Sequence, residues 1–549
     1  MNRAVKDPHT LLQVTRREWL VSQVALLATQ SLRPYWDSRA PLVGECLVPG
    51  ILEALALLAV EAAHAAGAVY ADARLTRVVV HYYNMRGHGG FSGETEEVGI
   101  GVRALVGGAW GFAASPFWTR ESVTRLAQDA VAQAKTNARW STRVVELGTI
   151  PVVTGTWATP VRIDPFAIPI EEKLDAIGYW KDCATRAGCP IPENGGLNGL
   201  TFAREERVLA TSEGSLVTQT LYNYGGQIYC QVPGVGSGFV GGLTPRGEGW
   251  ERVLDAQIPE QLTTLKEKIQ AQAALQRTAR PSEVGRYTLV CDGATMAALV
   301  EQTLGVATQL DRALGYEANA GGTSIIDDPL AMVGHLQVAS PHVTVTANRT
   351  APTQLATVAW DDDGVVPEPF PLVQDGVLVD FQTTREQAAW LAPYYQRQGK
   401  PGRSHGCAAA QDAHYISLQH MPNLALAPSP TARSLEALVA DVPEGILLEG
   451  GVVECDFQAR TGLLQGAMRT ITHGKLGPPL TGGAVQFETL PLWHNVIAVG
   501  GAQTEGGTDR WIDGFNLYKG EPPQRTSHSV RAVAATITNQ ALIDPQRRA

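Results

Sequence analysis

Hydrophobic positions recur at helical spacing in four stretches of the first half of the chain. In each stretch apolar residues return every three or four positions, which is typical of a helix that packs by one face. The stretches are residues 51–66, 120–135, 170–188 and 259–275. Gly67 is expected to end the first helix, and Thr119 is expected to cap the second by accepting a hydrogen bond from its first turn.

Alternation of apolar and polar positions predicts strands around these helices. Residues 69–75 and 78–83 each alternate, so two strands are expected there. Residues 99–113 indicate a hairpin with Gly107 and Gly108 at its turn, because a tight primed turn requires positive φ. Beyond residue 324, short alternating runs are separated by Gly, Asp and Pro, which is typical of an all-β segment.

The centre of the chain predicts a boundary between two domains. Residues 280–285 interrupt the helical pattern, and a strand at 286–291 leads to Asp292 as an N-cap and a helix from Gly293 to Leu310. The expected fold class is α+β: an N-terminal α/β domain with a mixed sheet and long helices, then a mainly antiparallel β domain entered through this helix. The expected bounds are 1–45 for an N-terminal extension, 46–285 for the first domain and 286–549 for the second.

Composition and charge narrow the class of protein. A chain of 549 residues is long enough for two domains or more. Its net charge of −10 is spread without basic blocks, which argues against a nucleic-acid surface. Seven scattered cysteines without a CxxC pair favour a reduced, cytoplasmic protein. Residues 51–60 are strongly apolar but shorter than the roughly 20 residues that a membrane-spanning helix needs, so no membrane association is expected.

The N-terminal segment leaves export open as an alternative. Arg16 and Arg17 precede an apolar run, as the arginines of a twin-arginine export signal do. The run, residues 21–32, is interrupted by Gln23 and Gln30 and lacks a small-residue cleavage site. These departures favour the cytoplasmic interpretation.

Several short motifs lack the context that their chemistry requires. Residues 236–241 match GxGxxG, but prolines flank them and no helix follows, so a flexible glycine loop is predicted instead of a dinucleotide site. Residues 361–363, Asp-Asp-Asp, lack the spacing of a calcium loop and are predicted to form a polar turn. Four residues that lie near one another do not have the spacing of a zinc signature: His405, Cys407, His414 and His420.

One segment carries a resemblance to a known family. Residues Leu299 to Ser324, LVEQTLGVATQLDRALGYEANAGGTS, resemble the metal-binding helix of the TldD/PmbA family of metallopeptidases, which reads approximately HExxGHxxELDRALGYEANYAGTS in metal-binding members. Here the two histidine positions hold Glu301 and Val306, and the position of the general-base glutamate holds Gln302. Other phrases match in the same order, so the resemblance covers about residues 50–545. They include 99–113, 356–364, 370–378, 382–388 and 402–407.

The resemblance implies that the metal chemistry has been lost. A hydrolytic zinc site requires three protein ligands, an open position for water and a base. The third ligand of the better-known members is a cysteine near the C-terminus, and the corresponding position in this chain is Leu517. All three ligand positions and the base position are altered, so neither a metal nor a catalytic residue is expected in this chain.

The resemblance also implies a partner, because the family works as paired subunits of which one carries the metal. We expect an inactive subunit that forms a heterodimer with a zinc-bearing TldD-like subunit and helps to process or modify an unfolded peptide or a peptide-like natural product. One alternative is a repurposed enzyme that uses Glu301 and Gln302 in the former zinc pocket. Another is a non-enzymatic, homodimeric peptide-binding protein. The residues expected in the cavity or against substrate are Asp311, Tyr316, Glu317, Asn319, Arg403, His405 and His528.

Overall fold

The computed structural model describes residues 50–86, 89–192, 198–319, 321–512 and 526–544. Arg16, Arg17 and Leu517 therefore lie outside the described residues. The α-helices are α1 (Ile51–Ala65), α2 (Arg120–Asn137), α3 (Ile170–Arg186), α4 (Glu251–Asp255), α5 (Ile258–Gln276), α6 (Gly293–Val300), α7 (Leu310–Ala313), α8 (Pro329–Met332), α9 (Arg385–Ala388), α10 (Ala392–Arg397), α11 (Leu435–Ala440) and α12 (Thr489–His494). None of the helices in these ranges is long and apolar enough to cross a membrane.

The strands build one large sheet in the first half of the chain and two in the second. Those of the first half are β1 (Tyr70–Arg86), β2 (Gly89–Val106), β3 (Ala109–Ser115), β4 (Thr154–Ala158), β5 (Asn198–Thr211), β6 (Leu216–Gln227), β7 (Tyr229–Val232) and β8 (Gly236–Phe239). Those that follow are β9 (Arg280–Pro281), β10 (Gly285–Cys291), β11 (Val345–Asn348), β12 (Phe370–Gln374), β13 (Val377–Leu378), β14 (Ala408–Ala409), β15 (Leu418–Gln419), β16 (Asn423–Leu426), β17 (Glu444–Cys455), β18 (Thr461–Thr472), β19 (Lys475–Thr481), β20 (Ala484–Glu488), β21 (Val496–Val499), β22 (Gly506–Ile512), β23 (Thr526–Ala532) and β24 (Ala535–Ile543).

The first half is organised around a six-stranded sheet in the order β3-β2-β1-β5-β6-β4. The predicted hairpin is confirmed, with Gly107 and Gly108 at φ 58° and 75°. Thr119 caps α2 as predicted, because its hydroxyl accepts a hydrogen bond from the Ser122 N–H. Helices α1 and α2 pack together, and their buried apolar faces share a core with β1 and β2.

Two predictions for this half are wrong. The two strands expected at 69–75 and 78–83 are one continuous strand, β1, because Thr76 and Arg77 stay in register with β2 and β5 on both sides. Arg77 pairs across the sheet with Glu96 and Glu206, which accommodates a charged residue where the alternation is interrupted. The glycine loop predicted at 236–241 begins with strand β8, which forms a small hairpin with β7.

The second half confirms the α+β fold class. One sheet has the order β17-β10-β24-β20-β18-β19-β9, and the additional pairing of β17 with β18 closes five of its strands into a ring. The other large sheet has the order β13-β12-β11-β16-β23-β22. Helix α6 packs against β17, β22 and β23, and a continuous apolar core surrounds it. The short strand β9 already pairs with β19 of this half, close to the predicted boundary at 285.

A buried acidic turn joins the two halves. Asp362 pairs with Arg74 and Arg207 of the first sheet, each at 3.1 Å, and Asp363 pairs with Arg103 at 2.7 Å. Asp361 accepts hydrogen bonds from the backbone N–H groups of its own turn and of Ala408. The segment predicted as a polar turn is therefore a turn, but its three carboxyl groups are buried between the halves.

Candidate functional site

The helix that carries the altered positions changes its winding at the site. The sequence predicts one helix from Gly293 to Leu310, whereas the structure has α6, a π-helix at Glu301–Gly305 and then, after a break, α7. A π-turn joins residues five apart, so it brings Glu301 and Val306 nearer to one face than an α-helix would. This geometry fits the five-residue spacing of the two histidine positions that the family resemblance implies at Glu301 and Val306.

Side chains from other elements hold this π-turn in place. The Gln382 amide donates to the Gly305 carbonyl at 2.6 Å, and the Trp493 indole N–H donates to the Thr303 hydroxyl at 2.9 Å. A Cβ added to Gly305 would lie 2.8 Å from Leu424 Cδ1 and 3.1 Å from Met421 Cε, so the glycine allows β16 and its neighbours to approach closely. The continuous-helix prediction failed because these contacts come from distant parts of the chain.

Glu301 lies at the centre of a buried polar cluster. Its side chain is 3% exposed. His528 Nε2 lies 3.0 Å from Glu301 Oε1, the Arg510 guanidinium pairs with the same oxygen, and the Thr508 hydroxyl donates to Oε2 at 3.2 Å. Burial raises the pKa of Glu301, but the hydrogen bond and charge of His528, and then those of Arg510, outweigh it and lower this pKa to about 2. The carboxyl group is therefore ionised at neutral pH.

The residues present do not fit the zinc ion that the family resemblance implies. Both carboxylate oxygens of Glu301 already accept hydrogen bonds from protein donors, and Arg510 places a permanent positive charge beside them. Gln302 and Val306, on the same turn, are half-buried, and an aliphatic side chain has no donor atom for a metal. Within the described ranges, no group of three His, Cys, Asp or Glu side chains is placed to hold a metal ion.

The run after the π-turn lines a cavity that opens to solvent, and its empty space together with the adjoining solvent is about 620 Å³. Asp311, Tyr316 and Glu317 lie on its wall, whereas Asn319 is exposed outside it. Burial, followed by the charge of Glu317, raises the pKa of Asp311 to about 7. The Arg143 guanidinium stacks over the Tyr316 ring at 5.1 Å. The structure thus brings three of the four predicted residues of this run together.

The predicted residues Arg403 and His405 lie in a separate structural cluster. His405 stacks on Phe370 with ring centroids 3.8 Å apart, and its Nε2 lies 3.0 Å from Asp380 Oδ2. Arg403 pairs with Glu368 at 2.9 Å. Neither residue is on the wall of the cavity beside Asp311 or of the cavity that Arg349 and His420 line.

A second, narrower cavity lies between the two halves of the chain and opens to solvent. Strands β1, β5 and β6 form one side, and segments with Arg349, His420 and Met421 form the other. Burial and then the nearby charge of Arg349 lower the pKa of His420 to about 4, so this histidine is neutral at pH 7. The charge of His528 contributes to the same shift, which connects this cavity electrostatically to the Glu301 cluster.

Thr508, Arg510 and Arg349 were not anticipated from the sequence. Thr508 and Arg510 are two positions apart on β22, so both side chains face the same side of the sheet and meet Glu301. Their alternation after Gly506 and Gly507 is the signal from which they could have been found. Arg349 hydrogen-bonds to backbone carbonyls of Ala356, Gly406 and Ala408, and no sequence pattern announces such contacts.

Comparisons with known proteins agree with this architecture. The model of the PmbA/TldA metallopeptidase C-terminal domain matches residues 284–522, and that of PmbA/TldA metallopeptidase domain 1 matches residues 91–134. Together the two matches cover just over half of the chain. A metalloprotease of Methanocaldococcus jannaschii is 23% identical over 422 residues, which are 74% of this chain and 85% of that protein.

Solved structures share the fold over most of the chain. TldE from Thermococcus kodakarensis superposes with a TM-score of 0.60 at 13% identity, covering 90% of this chain and 99% of that one. A Thermotoga maritima protein described as a candidate modulator of a DNA gyrase gives 0.61 at 14% identity, covering 90% and 100%. The family models, the curated relative and these folds agree with the motifs around Glu301, and the chain belongs to the TldD/PmbA family of metallopeptidase-like proteins.

Proposed function

We propose that this chain is a metal-free, non-catalytic subunit that pairs with a metal-bearing TldD-like subunit. The pair would process an unfolded peptide or modify a peptide-like natural product. The observation that carries the proposal is the buried ion-pair cluster in which Arg510, His528 and Thr508 occupy the carboxylate of Glu301. By the family resemblance, Glu301 stands at a ligand position of the metal-binding members, and Arg510 and His528 contact its carboxylate where a metal ion would bind.

The energetics of the cluster oppose metal binding. A zinc ion at Glu301 would have to displace the Arg510 guanidinium from a carboxyl group that is almost fully buried. Arg510 is 41% exposed and would be solvated after displacement, so the cost is that of the hydrogen bonds lost by the ionised Glu301, about 1.5–3 kcal/mol each. The Val306 side chain adds no bond to the metal, because it has no atom that can coordinate zinc. The cluster therefore stabilises the former site in a closed, metal-free form.

The same cluster weighs against a repurposed enzyme. A general base works best when its pKa lies near the operating pH. The pKa of Glu301, about 2, is far below neutrality, so this carboxylate is a weak base and is not protonated to act as an acid. Gln302, as an amide, has no useful proton affinity either.

The sheet beside the cluster supports a role in peptide binding. Strand β22, which carries Thr508 and Arg510, is the last strand in the order of its sheet within the described residues. An edge strand offers unpaired backbone groups to which an extended peptide can add, with little dependence on peptide sequence. Such a mode suits a subunit that helps to hold unfolded peptides.

Co-expression tests the pairing. The chain is co-expressed with a TldD-like protein from the same genome that retains the HExxxH helix, and the complex is purified through a tag on this chain. We expect a stable heterodimer with peptidase activity that is lost when the partner's glutamate base is changed to glutamine. Activity that survives this change but disappears with Glu301→Ala, in an intact complex, would instead establish the repurposed enzyme. A chain that remains a homodimer beside the partner would also contradict the proposal.

A further inference from the structure

We infer that the cavity beside α7 is a binding pocket for an organic cation, the ammonium or guanidinium group of a basic peptide side chain. The inference concerns the cavity that Asp311 lines, which is distinct from the Glu301 cluster. It rests on the proposed function only in naming a peptide as the source of the cation.

The wall of this cavity carries buried polar atoms whose hydrogen-bonding capacity is unused. Ser417 Oγ and Gln419 Oε1 are buried and have no hydrogen-bond partner within the described part of the chain. Both residues are 8% exposed and both line the cavity. A buried polar atom without a partner costs about 1–3 kcal/mol, so such atoms mark places where a missing group is expected.

The carboxyl groups around these atoms give the pocket its charge. Asp311, 6% exposed, and the neighbouring Glu317 and Glu386 all line the cavity. Among the residues that the structure describes, no ion pair joins any of these three carboxyl groups to a cation. Asp311 Oδ1 accepts a hydrogen bond from the Arg312 N–H at 2.7 Å, and Glu386 accepts one from the Trp110 indole.

Arg103 is a cation on the wall of this cavity and could neutralise its carboxyl groups. Its guanidinium pairs with Asp72 at 2.8 Å and with Asp363 at 2.7 Å, so its charge is already compensated by two carboxylates. Asp311, Glu317 and Glu386 form no ion pair within the described residues, and the charges of Arg312 and Arg103 act on Asp311 and Glu386 only from a greater distance. The pocket is therefore rich in acceptors and negative in sign, which suits a ligand that carries several N–H donors and a positive charge.

The size and spacing of the pocket favour an organic cation over a metal ion. A calcium ion requires six to eight oxygen atoms within about 2.6 Å, and magnesium requires a still tighter octahedron. No three acidic, histidine or cysteine side chains in the described ranges converge closely enough to hold an ion. The end of a lysine or arginine side chain reaches acceptors that are spread over a larger volume.

Binding in this pocket should depend on pH. Burial and the charge of Glu317 raise the pKa of Asp311 to about 7, and burial also raises the pKa of Glu386. The groups that face Asp311 are Arg312 and Glu317 from its own segment and, across the cavity, Arg103, Asp363 and Glu386. A bound cation favours the ionised carboxylates, so its affinity should rise as the pH increases through 7 and protons should be released on binding.

Calorimetry on the isolated full-length chain tests the inference without the partner subunit. The probes are Nα-acetyl-lysine methylamide, its neutral analogue Nα-acetyl-norleucine methylamide, agmatine as a free amine, and magnesium chloride. We expect the lysine probe to bind at least about tenfold more tightly than the norleucine probe, since a charge-assisted hydrogen bond contributes about 1.5–3 kcal/mol. Asp311→Asn and Glu386→Gln should each remove most of this preference, while Glu368→Gln, in the exposed pair with Arg403, should leave it unchanged.

Several results would overturn the inference. Equal affinity for the lysine and norleucine probes would show that the cavity does not distinguish a charged side chain from a neutral one. Binding of agmatine alone would exclude the peptide source, and magnesium binding that is lost in Asp311→Asn would establish a metal site instead. An unchanged lysine preference in both variants would place the binding elsewhere. Because all of these experiments use the chain alone, they can fail while the heterodimer forms, and they can succeed if it does not.

Discussion

At the scale of single residues, Glu301 is a buried carboxylate whose oxygens are contacted by Arg510, His528 and Thr508. An isolated buried carboxylate would be costly, but hydrogen bonds and opposite charge keep this one ionised. Asp311 shows the reverse case, since burial and a like charge raise its pKa to about 7. The two carboxyl groups therefore respond to pH in opposite ways.

Glu301 should stabilise the fold at neutral pH and lose this effect in acid. Its pKa falls from an ordinary 4.5 to about 2 in the folded chain, so the stabilisation is present above pH 4.5 and disappears as the pH falls towards 2. The shift corresponds to about 3 kcal/mol. We expect Glu301→Gln to lower the free energy of unfolding in urea at pH 7 and to differ less from the parent chain at pH 3. Glu267→Gln, an exposed residue of α5, is the control and should change little at either pH.

Asp311 should destabilise the fold at high pH. Its folded pKa of about 7 exceeds the ordinary 3.8, so the folded state loses stability as the pH rises from about 4 to 7. We expect Asp311→Asn to be more stable than the parent chain at pH 8, by about 1–4 kcal/mol, and similar to it at pH 4. Urea denaturation at the two pH values measures the difference. A variant that is less stable at pH 8 would contradict the burial and charge assigned to this carboxyl group.

At the scale of elements, the π-turn shows what local pattern can and cannot predict. The spacing of apolar residues correctly placed α1, α2, α3 and α5, and the glycines at 107–108 correctly placed the first hairpin. The sequence predicts a continuous helix at Gly293–Leu310 from its N-cap Asp292 onward. The interruption depends on Gln382 and Trp493, which are distant in sequence and therefore invisible to local periodicity.

Gly305 tests how tightly the π-turn is packed. An added methyl group would meet Leu424 and Met421 side chains and the Val300 carbonyl, so we expect Gly305→Ala to destabilise the chain by about 1–3 kcal/mol in thermal or urea unfolding. Gly178→Ala is the matched control, because this helical glycine of α3 has nothing within 4 Å of an added Cβ. The control should be neutral or slightly stabilising, since alanine favours helix by about 1 kcal/mol over glycine. Equal effects of the two changes would contradict the close packing at Gly305.

At the scale of the whole molecule, buried ion pairs that the sequence analysis did not predict hold the two halves together. The motifs predicted the family, and the patterns of apolar and polar residues predicted the fold class. The pairing of Asp362 with Arg74 and Arg207 depends on contacts across more than a hundred residues of chain. The Glu301 cluster is similar, because the residues that complete it lie on β22 and β23.

Asp362 should matter far more to stability than a surface ion pair. Asp362→Asn would leave Arg74 and Arg207 with one buried carboxylate fewer between the halves, and removing one partner of a buried pair costs about 3–5 kcal/mol. Glu96→Gln, which removes a more exposed pair with Arg77, should cost about 1 kcal/mol or less. Calorimetric unfolding compares the two. Similar small losses in both variants would show that the acidic turn does not hold the halves together.

Zinc binding by the isolated chain tests the central claim most directly. The purified chain and a TldD-like protein with an intact HExxxH helix are each incubated with excess zinc, desalted and analysed by inductively coupled plasma mass spectrometry. The structure predicts stoichiometric zinc in the TldD-like protein and only background zinc in this chain, because protein donors occupy Glu301. Stoichiometric zinc in this chain, lost in Glu301→Ala, would contradict the closed, metal-free site and the non-catalytic role proposed from it.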